Sequence, residues 1–133
     1  MSSFAGTLAF AERVKAEVKK LDVVLLNAGL FPTSFRLSQE GWEESIQVHV
    51  LSTSLLALEL LPWLKKLGGG KKHMSFVGSG NHRDLKIGKA DGWPQEDVLG
   101  FWSQKENFVK LKMYDVSKLM EQYVVNEIAK LSR

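Results

Sequence analysis

The chain has 133 residues, 44% of them hydrophobic and 25% charged, which suits one domain with a real core. Its net charge of +3 is only mildly basic. The lysine pairs Lys19-Lys20, Lys65-Lys66 and Lys71-Lys72 each lie near a chain reversal, so solvated helix ends account for them better than a nucleic-acid surface. There is no cysteine, which excludes disulfides and thiolate catalysis, and no metal site is expected.

Met1-Ser2-Ser3 leads straight into an amphipathic stretch, without the charged segment and apolar run of a secretory signal. The most apolar run, Val48 to Leu64, carries His49, Glu59 and Pro62 and reads as too short and interrupted to span a bilayer. A soluble, cytoplasmic protein without membrane or nucleic-acid partners is expected.

Phe4, Leu8, Ala11, Val14 and Val18 recur at three-to-four spacing and predict a helix over Ser3 to Lys20. Leu21 to Leu26 is a short apolar run ending at Asn27-Ala28-Gly29, which predicts a strand buried on both faces of a parallel sheet. A loop through Phe31, Pro32 and Phe35 reaches Ser38-Gln39-Glu40, read as the start of a long helix to about Lys66. Trp42, Ile46, Val50 and Leu60 or Leu64 mark its buried stripe, and Pro62 is expected to kink or thin its last turns. Gly68-Gly69-Gly70 stops it. His73 to Val77 predicts a second strand, closed by Gly78-Ser79-Gly80. Residues 81 to about 110 are polar, glycine-dotted and without a sustained period, and read as a flap. Lys112 to Leu131 predicts a last helix with Val116, Leu119, Met120, Tyr123, Val124 and Ile128 as its apolar face. Alternating helices and strands indicate one α/β domain over 1–133 with a doubly wound parallel sheet.

Three clusters carry candidate chemistry, each at a strand's C-terminal end or in a helix's first turns, where open α/β sheets bind ligands. Asn27-Ala28-Gly29 alone is a turn, and Ser79 between two glycines alone is loop chemistry. Tyr114 and Lys118 lie four apart on one helix face. A lysine cation beside a phenol stabilises phenolate and suits the pair to proton transfer.

Together, in this order and on these elements, the clusters resemble the short-chain dehydrogenase/reductase family, in a branch similar to retinol-dehydrogenase-like and fungal reductases. Leu21 to Gly29, Phe76 to Gly80, and Tyr114 with Lys118 carry the resemblance; Ser45 to Leu51 and Leu61-Pro62 look like the family's central helix. It covers essentially the whole chain. It implies a Rossmann-like, three-layer fold with Tyr114 as general acid/base and Ser79 polarising the substrate oxygen. Lys118 would assist the tyrosine and hold the nicotinamide ribose, with Asn27, Ala28 and Gly29 beside the adenine-side ribose. The cofactor would be NAD(P), and the substrate a carbonyl compound or alcohol such as a natural product.

The pattern departs from the family in two places. His49 stands where the family usually has asparagine, and as a titratable group near the site it is a further catalytic candidate. The glycine-rich TGxxxGxG turn that receives the pyrophosphate is not in the sequence, because Gly68-Gly69-Gly70 follows a helix and precedes a strand. The sequence therefore reads as a partial Rossmann-like domain, truncated at both ends and lacking the first βαβ unit, with NAD(P) affinity weakened. The strand at Leu21 to Leu26 would be left with an open apolar edge, which predicts a homo-oligomer. Three functions remain: an oxidoreductase, fragmentary or completed by a partner; a cofactor-independent isomerase, epimerase, dehydratase or cyclase using Tyr114, Ser79 and Lys118; or a non-catalytic binding module.

Overall fold

The computed structural model describes residues 1–132. Ser3 begins the first helix: its backbone is extended and its Oγ accepts the Gly6 N–H at 3.2 Å, capping α1, Phe4–Glu17. Glu40 accepts the Phe4 N–H at 2.7 Å and satisfies another first-turn donor. Val18 is already extended, so the helix stops short of Lys20.

β1, Val23–Leu26, and β2, His73–Phe76, form a two-stranded parallel sheet that pairs Val23 with His73 and Leu26 with Phe76. The Val77 N–H extends the ladder, donating to the Leu26 carbonyl at 3.0 Å. Val24 and Leu26 are buried, whereas Val23 is 57% exposed and Leu25 62%. The expected burial of this strand on both faces is therefore corrected. Within the described residues helices cover one face of the sheet, so two layers of the Rossmann-like sandwich are present, and the apolar run of β1 faces solvent on its other side.

The long helix starts later than Ser38. The Ser38 hydroxyl instead closes a turn, accepting the Glu40 and Trp42 N–H groups at 3.2 and 3.3 Å and donating to Gln47 at 2.9 Å. The helix N-terminus is capped by Glu43, whose Oε2 accepts the N–H groups of Ser45 at 2.8 Å and Ile46 at 3.2 Å. A π-helical segment, Ile46–Ser52, then runs into α2, Thr53–Lys66. Two hydroxyls bond helix carbonyls at its end: Thr53 Oγ1 donates to the Val48 carbonyl at 2.8 Å, and Ser54 Oγ bonds the Val50 carbonyl. Pro62 sits inside α2, which continues to Lys66 despite the missing donor. Gly69 and Gly70 reverse the chain at φ of 99° and 95°, conformations open to glycine.

Ala11 of α1, Leu56, Ala57, Leu60 and Leu64 of α2, and Ile128 of the last helix pack on Val24 and Leu26. That helix is α4, Lys110–Leu131. Each buried leucine, isoleucine or valine among them contributes about 1.5–3 kcal/mol. Lys15 joins α1 to α2 through Glu59 at 2.7 Å, and Lys72 joins the strand starts through Asp22 at 3.0 Å. On composition alone, the helix Ile46–Lys66 is long and apolar enough to cross a membrane, longer than its interrupted sequence suggests. Here its apolar side faces this core.

A second cluster joins Ile46 and Val50 to Met113, Val116 and Met120 of α4. The segment read as a flap packs into it. It contains short 3₁₀ turns and α3, Val98–Trp102, and Trp102 is 3% exposed with Trp93 and Phe101 against its ring. Tyr123, expected on the apolar face of α4, is 50% exposed.

Candidate active site

A cleft of about 340 Å³ opens at the carboxyl ends of β1 and β2. Asn27 and Gly29 reach it from the turn after β1, His49 from the π-helical segment, Val77 and Gly78 from the turn after β2, and Tyr114 and Lys118 from α4. This is the end of a parallel sheet at which α/β proteins bind ligands. Five of the residues singled out from the sequence thus converge on one cleft: Asn27, Gly29, His49, Tyr114 and Lys118. Ala28 is exposed at the same turn and lines the groove along β1 instead. Ser79 is half-buried just beyond the cleft lining, and its Oγ accepts the Asn81 N–H at 3.2 Å.

Tyr114 is half-buried in the second turn of α4, with its ring held between two others. Phe31 lies 5.2 Å away at 37°, and the edge of the His49 ring lies 5.6 Å away at 90°. Four residues on, Lys118 donates to the Val77 carbonyl at 2.8 Å and to Glu121 Oε2 at 2.7 Å. The ion-paired side chains are 6% and 4% exposed. Burial pushes the Glu121 carboxyl up from the usual carboxylate range, against the opposing pull of Lys118.

His49 is fully buried, and both ring nitrogens are engaged. Nε2 accepts the Leu30 N–H at 3.0 Å, and Nδ1 lies 2.8 Å from Ser117 Oγ. Ser117 gives its single hydroxyl hydrogen to the Tyr114 carbonyl at 2.8 Å, so Oγ accepts from the imidazole and the proton sits on Nδ1. Burial first, and then the Lys118 cation, push the His49 pKa down from 6.5 to about 4. A Cβ on Gly29 would stand 3.0 Å from Nε2, so glycine there permits the close approach.

Phe31, Ser117 and Glu121 belong to this site and were not singled out by sequence reasoning. Only Glu121 carried a readable signal, a carboxylate three positions beyond Lys118 on one helix.

The chain is 34% identical over 136 residues to a short-chain dehydrogenase/reductase of Aspergillus flavipes, with all of this chain and 39% of that protein covered. It is 38% identical over 133 residues to a second such protein, from Phaeosphaeria nodorum, with 97% of this chain and 38% of the relative aligned. A short-chain dehydrogenase of Arthrobotrys oligospora is 36% identical over 132 residues, covering 97% of this chain and 40% of the relative. The chain belongs to the short-chain dehydrogenase/reductase family. No family model matches it. It spans about two fifths of the length of these curated relatives.

Members of this family typically work with NAD(P). The donor set here fits the nicotinamide-ribose end of such a nucleotide: the Lys118 ammonium lines the cleft with two of its three N–H groups engaged. The TGxxxGxG turn that receives the pyrophosphate is not found among the described residues, and nothing here extends the fit beyond the ribose end.

Proposed function

We propose that the chain carries the proton-transfer half of an oxidoreductase site for a small carbonyl or alcohol substrate. The observation behind this reading is the convergence of Tyr114 and Lys118 with Asn27 and Gly29 on one cleft at the strands' carboxyl ends. Tyr114 donates its phenolic proton to the substrate oxygen on reduction and takes a proton from the alcohol on oxidation. NAD(P), when bound, supplies the hydride chemistry. Lys118 offers its remaining N–H to the ribose, while Glu121 and the Val77 carbonyl hold the ammonium in place. Ser79, just beyond the cleft, accepts the Asn81 N–H and keeps its own hydroxyl hydrogen to offer to the substrate oxygen.

The reading extends to assembly. An apolar groove of about 540 Å³ runs along β1, lined by Phe10 and Val14 of α1 and by Val23 and Leu25. It supports a homo-oligomer in which a second copy covers β1, since an open apolar edge is a template for strand addition.

The test of function is NADPH-dependent reduction of a panel of carbonyl compounds by the parent chain and by Tyr114→Phe. A loss of about a hundredfold or more is expected. An unchanged rate would overturn the role of Tyr114, and turnover without nucleotide would point to isomerase, dehydratase or cyclase chemistry.

A further inference from the structure

We propose that His49 is a positioning residue: as a neutral imidazole protonated on Nδ1, it clasps the Gly29–Phe31 turn to the start of α4 and so sets Tyr114 in its cleft. The proposal rests on the reading of Tyr114 as proton donor, and adds how that ring is held.

The clasp is built from one continuous chain of hydrogen bonds. The Leu30 N–H donates to Nε2 at 3.0 Å, Nδ1–H donates to Ser117 Oγ at 2.8 Å, and the Ser117 hydroxyl donates to the Tyr114 carbonyl at 2.8 Å. It joins the turn after β1, the π-helical segment and α4. These elements are far apart in sequence; His49 is 19 positions from Leu30 and 68 from Ser117. Each end of the chain lies next to a ring contact. Leu30 precedes Phe31, which packs on Tyr114 at 5.2 Å, and the imidazole edge meets the same ring at 5.6 Å. One side chain therefore fixes both rings that flank Tyr114.

Only one protonation state serves. A proton added at Nε2 would turn the acceptor of the Leu30 N–H into a second donor facing it, and the turn would be released. The charged groups near the ring act against that proton: the Lys118 ammonium repels it, and Glu121 is committed to Lys118 at 2.7 Å. The π-helical segment has its own role, since a helix widened over Ile46–Ser52 displaces the side chains on it from their α-helical directions. With both nitrogens engaged, His49 touches the reacting residue without carrying the proton itself.

The test uses the full chain labelled with ¹⁵N. Imidazole spectra are expected to show the Nδ1–H tautomer of His49 at neutral pH, persisting as the pH is lowered toward about 4. Leu30 amide exchange is expected to quicken about tenfold in Ser117→Ala, with the Phe31–Tyr114 ring contact weakened, and to recover in Ser117→Thr. An Nε2–H tautomer, or Leu30 exchange and ring contact unaltered in Ser117→Ala, would overturn the clasp. Ser117→Ala leaves His49 itself in place, and the tautomer is read on the parent chain, so neither readout needs a His49 variant to fold. Kinetically, His49→Gln is expected to retain more of kcat than His49→Leu at similar KM. Equal kcat in all three proteins would overturn positioning. Intact spectra in a chain that reduces no carbonyl would instead overturn the oxidoreductase reading and leave the clasp standing.

Discussion

Lys118 and Glu121, one turn apart on α4, close an ion pair of 2.7 Å that is almost wholly buried, and the Val77 carbonyl takes a second lysine N–H at 2.8 Å. A buried pair of this kind is costly to break, because the surviving charge is left without a partner in a low-dielectric site. Lys118→Met is expected to destabilise the chain by about 3–5 kcal/mol in urea unfolding, with Lys118→Met/Glu121→Leu recovering most of it. Burial raises the Glu121 pKa, so its contribution is fully present below the unfolded value of 4.5 and is lost as pH rises through the folded value. Lys118→Met should therefore lose more stability at pH 8 than at pH 4 relative to the double variant. Equal losses at both would contradict a charged, unpaired Glu121.

His49 works in the opposite direction. Its folded pKa is depressed from 6.5 to about 4, so the associated stability is present above 6.5 and is lost as pH falls through about 4. That window is worth roughly 3 kcal/mol. Between pH 7 and pH 4 the stability difference between the parent and His49→Asn should shrink by an amount of that order. Because Glu43 and Glu121 titrate in both proteins, the difference isolates the histidine.

Glu43 is fully buried and caps the helix through the Ser45 and Ile46 N–H groups. Glu43→Ala is expected to cost about 1–2 kcal/mol, and Glu43→Gln less, since an amide oxygen still accepts. Burial raises this carboxyl's pKa, so the parent loses the associated stability as pH climbs past 4.5 whereas Glu43→Gln does not. Thermal unfolding of both variants across pH checks the sign.

Gly29 and His49 should be energetically coupled. A Cβ at Gly29 meets Nε2 at 3.0 Å, so Gly29→Ala pushes against the bond from Leu30. In a double-mutant cycle Gly29→Ala should destabilise the parent by about 1 kcal/mol more than it destabilises His49→Ala. Additive effects would show that the close approach carries no strain.

Leu25 is 62% exposed on the bare face of β1, so a charge there costs the monomer little. Leu25→Lys should abolish concentration-dependent association in light scattering without lowering the melting temperature. A parent chain that remains monomeric at all concentrations would remove the proposed oligomer.

The helices and strands were legible because their apolar spacing is regular: Ala11, Leu60, Leu64 and Ile128 fall on the buried faces that the spacing predicts. The start of the central helix was misread because Ser38 satisfies turn N–H groups as readily as a helix cap, and only tertiary packing shows that Glu43 has that task. The π-helical segment left one trace, the run Ser52-Thr53-Ser54, whose hydroxyls compete for helix carbonyls. β1 looked doubly buried because its sequence is apolar on both faces, and composition cannot say whether the second face has a cover within the chain. At the site, Tyr114 and Lys118 were readable from their spacing. Phe31 and Ser117 were not, because contacts across 83 and 68 positions leave no local pattern.

The most direct measurement is a titration of the ¹⁵N-labelled chain with NADPH, following the amide signals of Gly29, Gly78 and Tyr114 at the cleft. Weak but saturable shifts confined to the cleft, and lost in Lys118→Met that remains folded, are the predicted result. No shift at these amides up to millimolar nucleotide, or shifts that persist without Lys118, would contradict the account.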